Sequence, residues 1–201
     1  DLVNVDVQTK NFGRIAAQTA KQVIIQGIRE AERGMVFESF SSKEHEILTG
    51  VVSHIEPRNG SVSIRISSNS EFTEAVLTAN ERIRTEVLRE GDHIKVYVVE
   101  VRNSTRGPQV LISRTHPGLV KRLFENEVPE IKQGLVEIKS IAREAGFRTK
   151  LAVWSNDPSV DSVGACIGPR GTRIQTIVGE LKNEKIDIVR WSPDPVEYIV
   201  N

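Results

Sequence analysis

Four residues, Gly168-Pro169-Arg170-Gly171, have the types and spacing of a turn that could bind an anion. They separate two segments in which apolar residues recur every three to four positions, which is typical of amphipathic helices. Because glycine has no Cβ, a ligand backbone could approach this turn closely. The first amides of the second helix would point outward, unpaired and slightly positive. The sequence therefore predicts an anion site at 168–171.

Side chains beside the turn complete the predicted site. Arg170 would project from the tip and Arg173 from the first helical turn, while Thr172 could cap the helix or donate a hydrogen bond. A phosphate would then be bound by amides and a guanidinium together. Taken alone, Gly-x-x-Gly is more often a turn in which glycine supplies a positive φ. Here strand-like segments flank the two helices, at 149–154 and 185–191, and this arrangement favours the KH module, whose Gly-x-x-Gly loop holds about four nucleotides.

Composition limits what kind of protein this is. The 201 residues include 27 basic and 27 acidic side chains, a formal net charge of +0, which disfavours a nonspecific polyelectrolyte binder. The single cysteine, Cys166, excludes an internal disulfide, suits a reducing compartment and is interpreted as an apolar filler. No apolar segment reaches the roughly 20 residues of a membrane span and no signal peptide is visible, so we expect a cytoplasmic protein without a membrane partner. Since the chain starts at Asp1, we also expect a fragment of a longer protein.

The first 45 residues are predicted to be a connector. Leu2–Val7 alternates apolar and polar residues and predicts a short strand. From about Asn11 the apolar residues follow helical spacing for roughly 25 to 30 residues. Only part of this helix is apolar, which is more typical of a connector than of a core element.

Residues 46–115 are predicted to be a five-stranded OB-fold barrel. The β-branched segments are Glu46–Ile55, Ser61–Ile66, Glu74–Leu77, His93–Val101 and Val110–Ser113, with turns at Asn59-Gly60, Gly91-Asp92 and Arg106-Gly107-Pro108. Barrels of this type bind oligonucleotides on aromatic side chains, but such residues are few here. A weak binding face and a spacer are equally consistent with the sequence. The candidates for a binding face are Phe72, Tyr97 and His54, beside Arg65, Arg82, Arg84 and Arg114.

Residues 116–201 are predicted to be an α+β domain in the order helix, strand, strand, helix, turn, helix, strand. We expect a short helix at Leu119–Phe124, a strand from Val136, a strand at Lys150–Trp154 and a helix opened by Asp157-Pro158. The predicted core packs strand residues Ile138, Ile141, Leu151, Val153, Ile186 and Ile188 against helix residues Ile167, Ile174, Ile177 and Leu181.

Six segments carry a resemblance to a known family: NFGRIAAQTAKQV (11–23), RGPQVLISRTH (106–116), VPEI (128–131), VEIKSIAREA (136–145), VGACIGPRG (163–171) and EKIDIVRW (184–191). They closely resemble NusA, the family of bacterial transcription elongation, termination and antitermination factors. The resemblance implies that 1–45 is the end of the polymerase-binding domain and its connector helix, and 46–115 an OB-fold barrel. It implies that 116–201 is the first of two KH domains, of the bacterial (type II) topology.

The resemblance also implies a function. Family members contact nascent single-stranded RNA, bind RNA polymerase and regulate pausing, termination and antitermination with antitermination factors. RNA contact would fall on Ile167, Gly168, Pro169, Arg170, Gly171 and Arg173, with Thr172 and Ile174 beside them. We expect the bases to lie in an apolar groove lined by Ile167, Ile174 and the strand near 151–153. Without a second KH domain, this chain should bind RNA more weakly than a longer relative.

Two other function classes have less support. An enzyme is disfavoured because the glycine turn lacks the GK[ST] ending of a phosphate-binding loop. The four histidines, at 45, 54, 93 and 116, have no metal-ligand spacing, so no catalytic, metal or cofactor site is predicted. The alternative is a protein-interaction module of the transcription machinery with little RNA binding in isolation, which the long helix and the aromatic-poor barrel would suit.

Overall fold

The computed structural model describes residues 9–105 and 107–200. The strand predicted at Leu2–Val7 lies outside them, as does Arg106 of a predicted turn. The helices are α1 (Thr9–Ser41), α2 (Pro117–Glu127), α3 (Pro129–Lys132), α4 (Ser162–Ile167), α5 (Thr172–Glu180) and α6 (Pro195–Val200). The strands are β1 (Ile47–Ile55), β2 (Val62–Ser68), β3 (Glu71–Leu77), β4 (His93–Ser104), β5 (Gly107–Ser113), β6 (Val136–Glu144), β7 (Arg148–Ser155) and β8 (Lys185–Arg190). In the described part of the chain, no helix combines the length and apolar character of a membrane span.

Helix α1 is 33 residues long, somewhat longer than its periodicity predicted. Its side chains from residue 13 to 35 are exposed. Only its last turns pack on the barrel, where Phe40 is fully buried and Val36 and Phe37 are partly buried. The predicted connector is therefore anchored to the barrel at one end.

Strands β1 to β5 form one antiparallel sheet in the order β3-β2-β1-β4-β5, and its outer strands β3 and β5 also contact each other. This is a nearly closed OB-like barrel, as predicted. Its interior is filled by the alternate residues of each strand, including Ile64, Ile66, Leu77 and Val98. Gly50 of β1 faces this interior, where an added Cβ would come within 2.4 Å of Ile64 Cγ2.

The sequence pattern does not predict the hairpin between β2 and β3. Asn69 and Ser70 both have positive φ values, 47° and 72°, as a tight two-residue hairpin turn requires. The third strand therefore begins at Glu71 rather than at Glu74. Asn-Ser is a weaker signal for such a turn than Asn-Gly or Asp-Gly.

Elements α2 to β8 form the predicted α+β domain. Its sheet has the order β6-β7-β8, with β6 antiparallel to β7 and β7 parallel to β8. The prediction that Asp157-Pro158 opens the next helix is wrong. Helix α4 begins at Ser162, and its N-cap is Asp161, whose Oδ1 accepts a hydrogen bond from the amide of Val163 at 3.2 Å. Asp157 instead accepts from Ser159 within a turn.

The core of this domain is mostly the predicted one. Leu151, Val153, Ile177 and Leu181 are buried, and the predicted members on β6 and β8 are partly buried against them. Ile174 of α5 is half-buried but does not belong to this cluster. Ile167 is 37% exposed. It is the last residue of α4, where the chain turns away from the sheet.

The barrel and the α+β domain share a core. Barrel residues Ile83 and Tyr97 are buried in the same cluster as Leu119 and Phe124 of α2. The ring of Tyr97 also stacks on His116, with the centroids 4.6 Å apart. Secondary structure changes near the predicted boundaries, but buried contacts cross both of them. The division into 1–45, 46–115 and 116–201 stays a prediction.

Candidate nucleic-acid interface

The glycine turn connects α4 to α5 through a single turn of 3-10 helix, Pro169–Gly171. Gly168 ends α4 with φ 77° and ψ 171°, and Arg170 has φ 56° and ψ 23°. Gly171 then precedes α5 in the left-handed conformation, with φ 75°. Three of the four residues thus have positive φ. This geometry turns the backbone sharply between the two helices, as the sequence predicted.

The tip of the turn faces solvent. Pro169, Arg170 and Thr172 are exposed, and Ile167 lies beside them with an exposed side chain. Within the described residues, the Arg170 guanidinium has neither an ion pair nor a hydrogen bond to the protein. It is therefore available to an external anion.

The main-chain amides of the turn differ from the prediction. The amide of Gly168 donates to the carbonyl of Gly164, that of Gly171 to Gly168, and that of Thr172 to Pro169. The prediction that the amides opening α5 are unpaired is therefore wrong for Thr172, because the 3-10 turn supplies an acceptor. The predicted anion site therefore rests more on the side chain of Arg170 than the sequence suggested.

Arg173 lies against the protein rather than beside Arg170. Its Nη1 is 2.8 Å from Oε2 of Glu130 and 2.7 Å from the carbonyl oxygen of Ala165. The predicted contact of Arg173 with phosphate stays a prediction. In the structure its guanidinium ties α5 to α3 and to α4.

The two glycines have different surroundings. A Cβ on Gly168 would come within 2.5 to 2.9 Å of the side-chain stem of Arg173, whereas a Cβ on Gly171 would meet only Gln175 Nε2 at 3.8 Å. Gly168 therefore leaves room for Arg173. The space that a Cβ would take is therefore filled by Arg173 at Gly168 and open at Gly171.

The predicted groove is partly wrong. Leu151 and Val153 are fully buried on β7, the middle strand, so their side chains cannot line a surface groove. Strand β8 lies at the edge of this sheet and contacts α4. The surface next to the turn is therefore bounded by Ile167, by half-buried Ile174 and by β8.

Comparison with known proteins places this turn in a named domain. Residues 114–191 match the model of the NusA-like first KH domain, and residues 1–34 match the NusA N-terminal domain. The whole chain is 55% identical to the transcription termination/antitermination protein NusA of Halalkalibacterium halodurans. The chain belongs to the NusA family. The OB-like barrel and KH-type α+β domain agree with that family's architecture.

Further relatives cover the same part of the chain. The NusA of Bacillus subtilis is 53% identical and that of Thermus thermophilus 43% identical, each over 201 residues and 100% of this chain. The alignments cover 51%, 53% and 51% of the H. halodurans, B. subtilis and T. thermophilus proteins. The chain thus spans about half the length of the curated NusA relatives that it matches.

The prediction for Cys166 of this NusA-family chain is confirmed. The residue is fully buried in the core of the α+β domain. Burial raises the pKa of its thiol to about 12, so the reactive thiolate is suppressed at neutral pH. Among the described residues, no group of histidine, cysteine and acidic side chains is placed to hold a metal ion.

The barrel candidates separate into buried and exposed residues. Tyr97 and Arg114, predicted as members of a binding face, are 6% and 0% exposed, so this prediction is wrong for both. Arg82 is half-buried and donates from Nη1 to the carbonyl of Gly60. The exposed candidates are Phe72, His54, Arg65 and Arg84.

Arg114 has a structural role that the sequence did not indicate. It binds the buried carboxylate of Glu86 through Nε and Nη2, at 2.8 and 2.7 Å. It also donates to the carbonyl of Lys95 and, from Nη2 at 3.0 Å, to that of Glu180 at the end of α5. A barrel-side arginine therefore connects to the helix that follows the glycine turn. Nothing in the local sequence distinguishes it from a surface arginine.

Proposed function

We propose that this chain is the RNA-binding part of a non-enzymatic, cytoplasmic transcription factor. It contacts nascent single-stranded RNA and, within the longer protein, regulates pausing, termination and antitermination by RNA polymerase together with antitermination factors. The proposal extends to this chain what the names of its NusA relatives state about termination and antitermination. It also rests on the KH-type domain, a fold that holds RNA on a Gly-x-x-Gly loop.

The observation that carries the RNA contact is the guanidinium of Arg170, which has no ion pair among the described residues and lies at the tip of the exposed turn. Arg170 lies between Pro169 and Gly171, and the space beside Gly171 is open. We propose that the RNA backbone passes over Gly168–Gly171 and Thr172, with Arg170 on a phosphate. The bases then lie against Ile167 and Ile174 and along the edge strand β8.

The test is to replace Pro169 and Arg170 with aspartate. Two carboxylates at the tip repel phosphate, and both side chains are exposed, so the fold should be retained. We expect binding of a labelled single-stranded RNA to be lost in an anisotropy titration, while the circular dichroism spectrum and the melting temperature stay unchanged. Unchanged RNA affinity in this variant would refute the site.

A single substitution, Arg170→Gln, tests the phosphate contact quantitatively. Arg170→Gln removes one phosphate contact, so the slope of log affinity against log salt concentration should fall by about 0.7. Lys182→Gln is the matched control, since Lys182 is an exposed cation with positive φ in the same domain but beyond the far end of α5. Its salt slope should equal that of the unmodified chain.

A second function, protein contact, is favoured by the surface of α1. This helix exposes large apolar side chains along its length, including Ile15, Val23, Ile24, Ile28 and Met35. Exposed apolar surface of this kind marks interaction sites. Ile24→Asp together with Ile28→Asp should weaken a complex with RNA polymerase and leave RNA affinity unchanged. If polymerase binding persists, α1 is not the contact.

A further inference from the structure

A groove between helix α1 and the seam of the barrel has the chemistry of a second nucleic-acid site. It has a volume of about 290 Å³ and is lined mainly by Arg29 and Arg33 of α1, Phe72 and Thr73 of β3, and Gly107 and Pro108 of β5. We refer to it as the helix–barrel groove. It lies on the barrel, in a different part of the fold from the glycine turn of the KH-type domain.

The aromatic wall of the helix–barrel groove is Phe72. This ring is 66% exposed on the outer side of β3, whereas Ala75 and Leu77 of the same strand face the barrel interior. Its partner on β2 is Ser67, which is too small to cover the ring. An exposed aromatic face can bind a base by stacking, since every base has a π-face.

The basic wall comes from one face of α1. Arg29 and Arg33 are four residues apart, so their side chains lie one above the other on the helix. Neither guanidinium makes an ion pair or hydrogen bond within the residues that the structure describes. The side chain of Arg33 passes beside Gly107, whose added Cβ would lie 3.7 Å from Arg33 Nε. Two cations without an ion pair among the described residues therefore line the same groove as the aromatic ring.

The charge and size of the helix–barrel groove indicate its ligand. Glu32 is the one carboxylate among its lining residues, so two arginines outweigh one acid. The volume is at the lower limit of ligand pockets, about 300 Å³. A flat apolar face beside paired guanidinium groups fits a base with its flanking phosphates. An acidic peptide would use the cations but would leave Phe72 exposed.

We propose that the helix–barrel groove binds a single-stranded RNA segment, with a base stacked on Phe72 and phosphates on Arg29 and Arg33. This inference rests on the proposed RNA-binding function and adds a second contact to it. RNA held at the glycine turn reaches the groove as an intramolecular step, at a raised effective concentration. Even a weak groove contact then increases the affinity for RNA long enough to span both sites.

The first experiment measures how much Arg29 and Arg33 contribute to the salt dependence of RNA binding. With a single-stranded RNA of about 12 nucleotides, within the range of site sizes for such barrels, Arg29→Gln with Arg33→Gln should lower the salt slope by about 1.4. Arg58→Gln with Arg89→Gln is the matched control, because both are exposed barrel arginines outside the groove. An unchanged slope in the groove variant, or an equal fall in the control, overturns the inference.

The second experiment measures how much the ring of Phe72 contributes to RNA affinity. Phe72→Ala should weaken binding of the same RNA about 5- to 150-fold, the effect of losing one stacked base. Phe147→Ala is the control, since Phe147 is 64% exposed on the turn between β6 and β7 and should leave affinity unchanged. Both variants should melt like the unmodified chain. A photoreactive RNA should cross-link to the peptide containing Phe72, and absence of this cross-link also counts against the site.

These results separate the groove from the glycine turn. If the unmodified chain binds no RNA, the proposed function itself fails. If it binds RNA and the aspartate variant of Pro169 and Arg170 does not, while the groove variants bind normally, only the groove inference fails. If the groove variants lose affinity for RNA polymerase instead of RNA, the groove is a protein site and the inference is again overturned.

Discussion

Arg173 and Glu130 form an ion pair, Nη1 to Oε2 at 2.8 Å, that joins α5 to α3 behind the glycine turn. The same Nη1 donates to the carbonyl of Ala165 in α4. The stem of this side chain fills the space next to Gly168. One arginine thus fixes both helices and the first residue of the turn, while Arg170 faces solvent. Substitutions of Arg170 in the turn and of Arg173 in α5 should therefore have different effects on RNA binding.

The salt dependence of binding tests this difference. Arg173→Gln should lower RNA affinity by loosening the turn but should leave the salt slope unchanged, because no phosphate contact is lost. Glu130→Gln should act in the same way. Arg170→Gln should instead lower the slope by about 0.7. If the slope falls in Arg173→Gln, this guanidinium leaves Glu130 and contacts phosphate directly, as the sequence alone predicted.

The two glycines provide a matched pair of substitutions. Gly168→Ala should cost about 1 to 3 kcal/mol, since φ 77° with ψ 171° is open essentially to glycine alone. Its Cβ would also displace Arg173, so RNA affinity should fall. Gly171→Asn should be tolerated, because asparagine adopts the left-handed conformation and the space there is open. Urea denaturation and RNA titration of both variants measure the effects. Equal losses at the two positions would contradict the role assigned to Arg173.

Sequence patterns predicted the barrel strands, most elements of the α+β domain and the position of the glycine turn, but not helices α3 and α6. Alternation and turn residues located five barrel strands, and helical periodicity located α4 and α5 on either side of Gly168. The patterns could not show which polar side chains are buried, because burial of Tyr97 and Arg114 is caused by the domain that packs on the barrel. Nor could they show that the 3-10 turn uses the amide of Thr172. Such features depend on contacts between segments far apart in the chain.

The buried Arg114 should be important for stability. Arg114→Met would leave the carboxylate of Glu86 buried without a partner, and we expect a loss of about 3 to 5 kcal/mol in the free energy of unfolding. The double variant Arg114→Met with Glu86→Leu should recover much of this, since no buried charge remains unpaired. Arg84→Met, at an exposed barrel position, should change stability by no more than about 0.5 kcal/mol. Urea denaturation provides the comparison.

The same substitution tests the coupling of the domains. With a shared core and an Arg114–Glu180 hydrogen bond, the barrel and the α+β domain should unfold in one calorimetric transition. In Arg114→Met, we expect the transition to broaden or to divide in two. Two well-separated transitions in the unmodified chain would contradict a shared core.

Glu184 should make stability depend on pH. Its buried carboxylate accepts hydrogen bonds from Arg143, Thr149 and the amide of Gly146, at 2.6 to 3.0 Å. Burial raises the pKa of this carboxyl, but the hydrogen bonds from Arg143, Thr149 and Gly146 outweigh burial, so its net pKa lies below the ordinary value. A carboxyl with a lowered pKa stabilises the fold at pH values above its unfolded pKa, about 4.3. That contribution is lost as the pH falls through the folded pKa.

Replacing the carboxylate isolates this contribution. At neutral pH, Glu184→Gln leaves the buried guanidinium of Arg143 without its ion pair, and we expect a loss of about 3 to 5 kcal/mol. The difference from the unmodified chain should narrow as the pH falls below about 4.3, the unfolded pKa, because the unfolded carboxyl then gains its proton while the native carboxylate is still charged. Glu144→Gln, at an exposed position of the same sheet, is the matched control and should change stability little at neutral pH. Urea denaturation across this pH range measures both, and a constant difference for Glu184→Gln would show that its ionisation does not stabilise the fold.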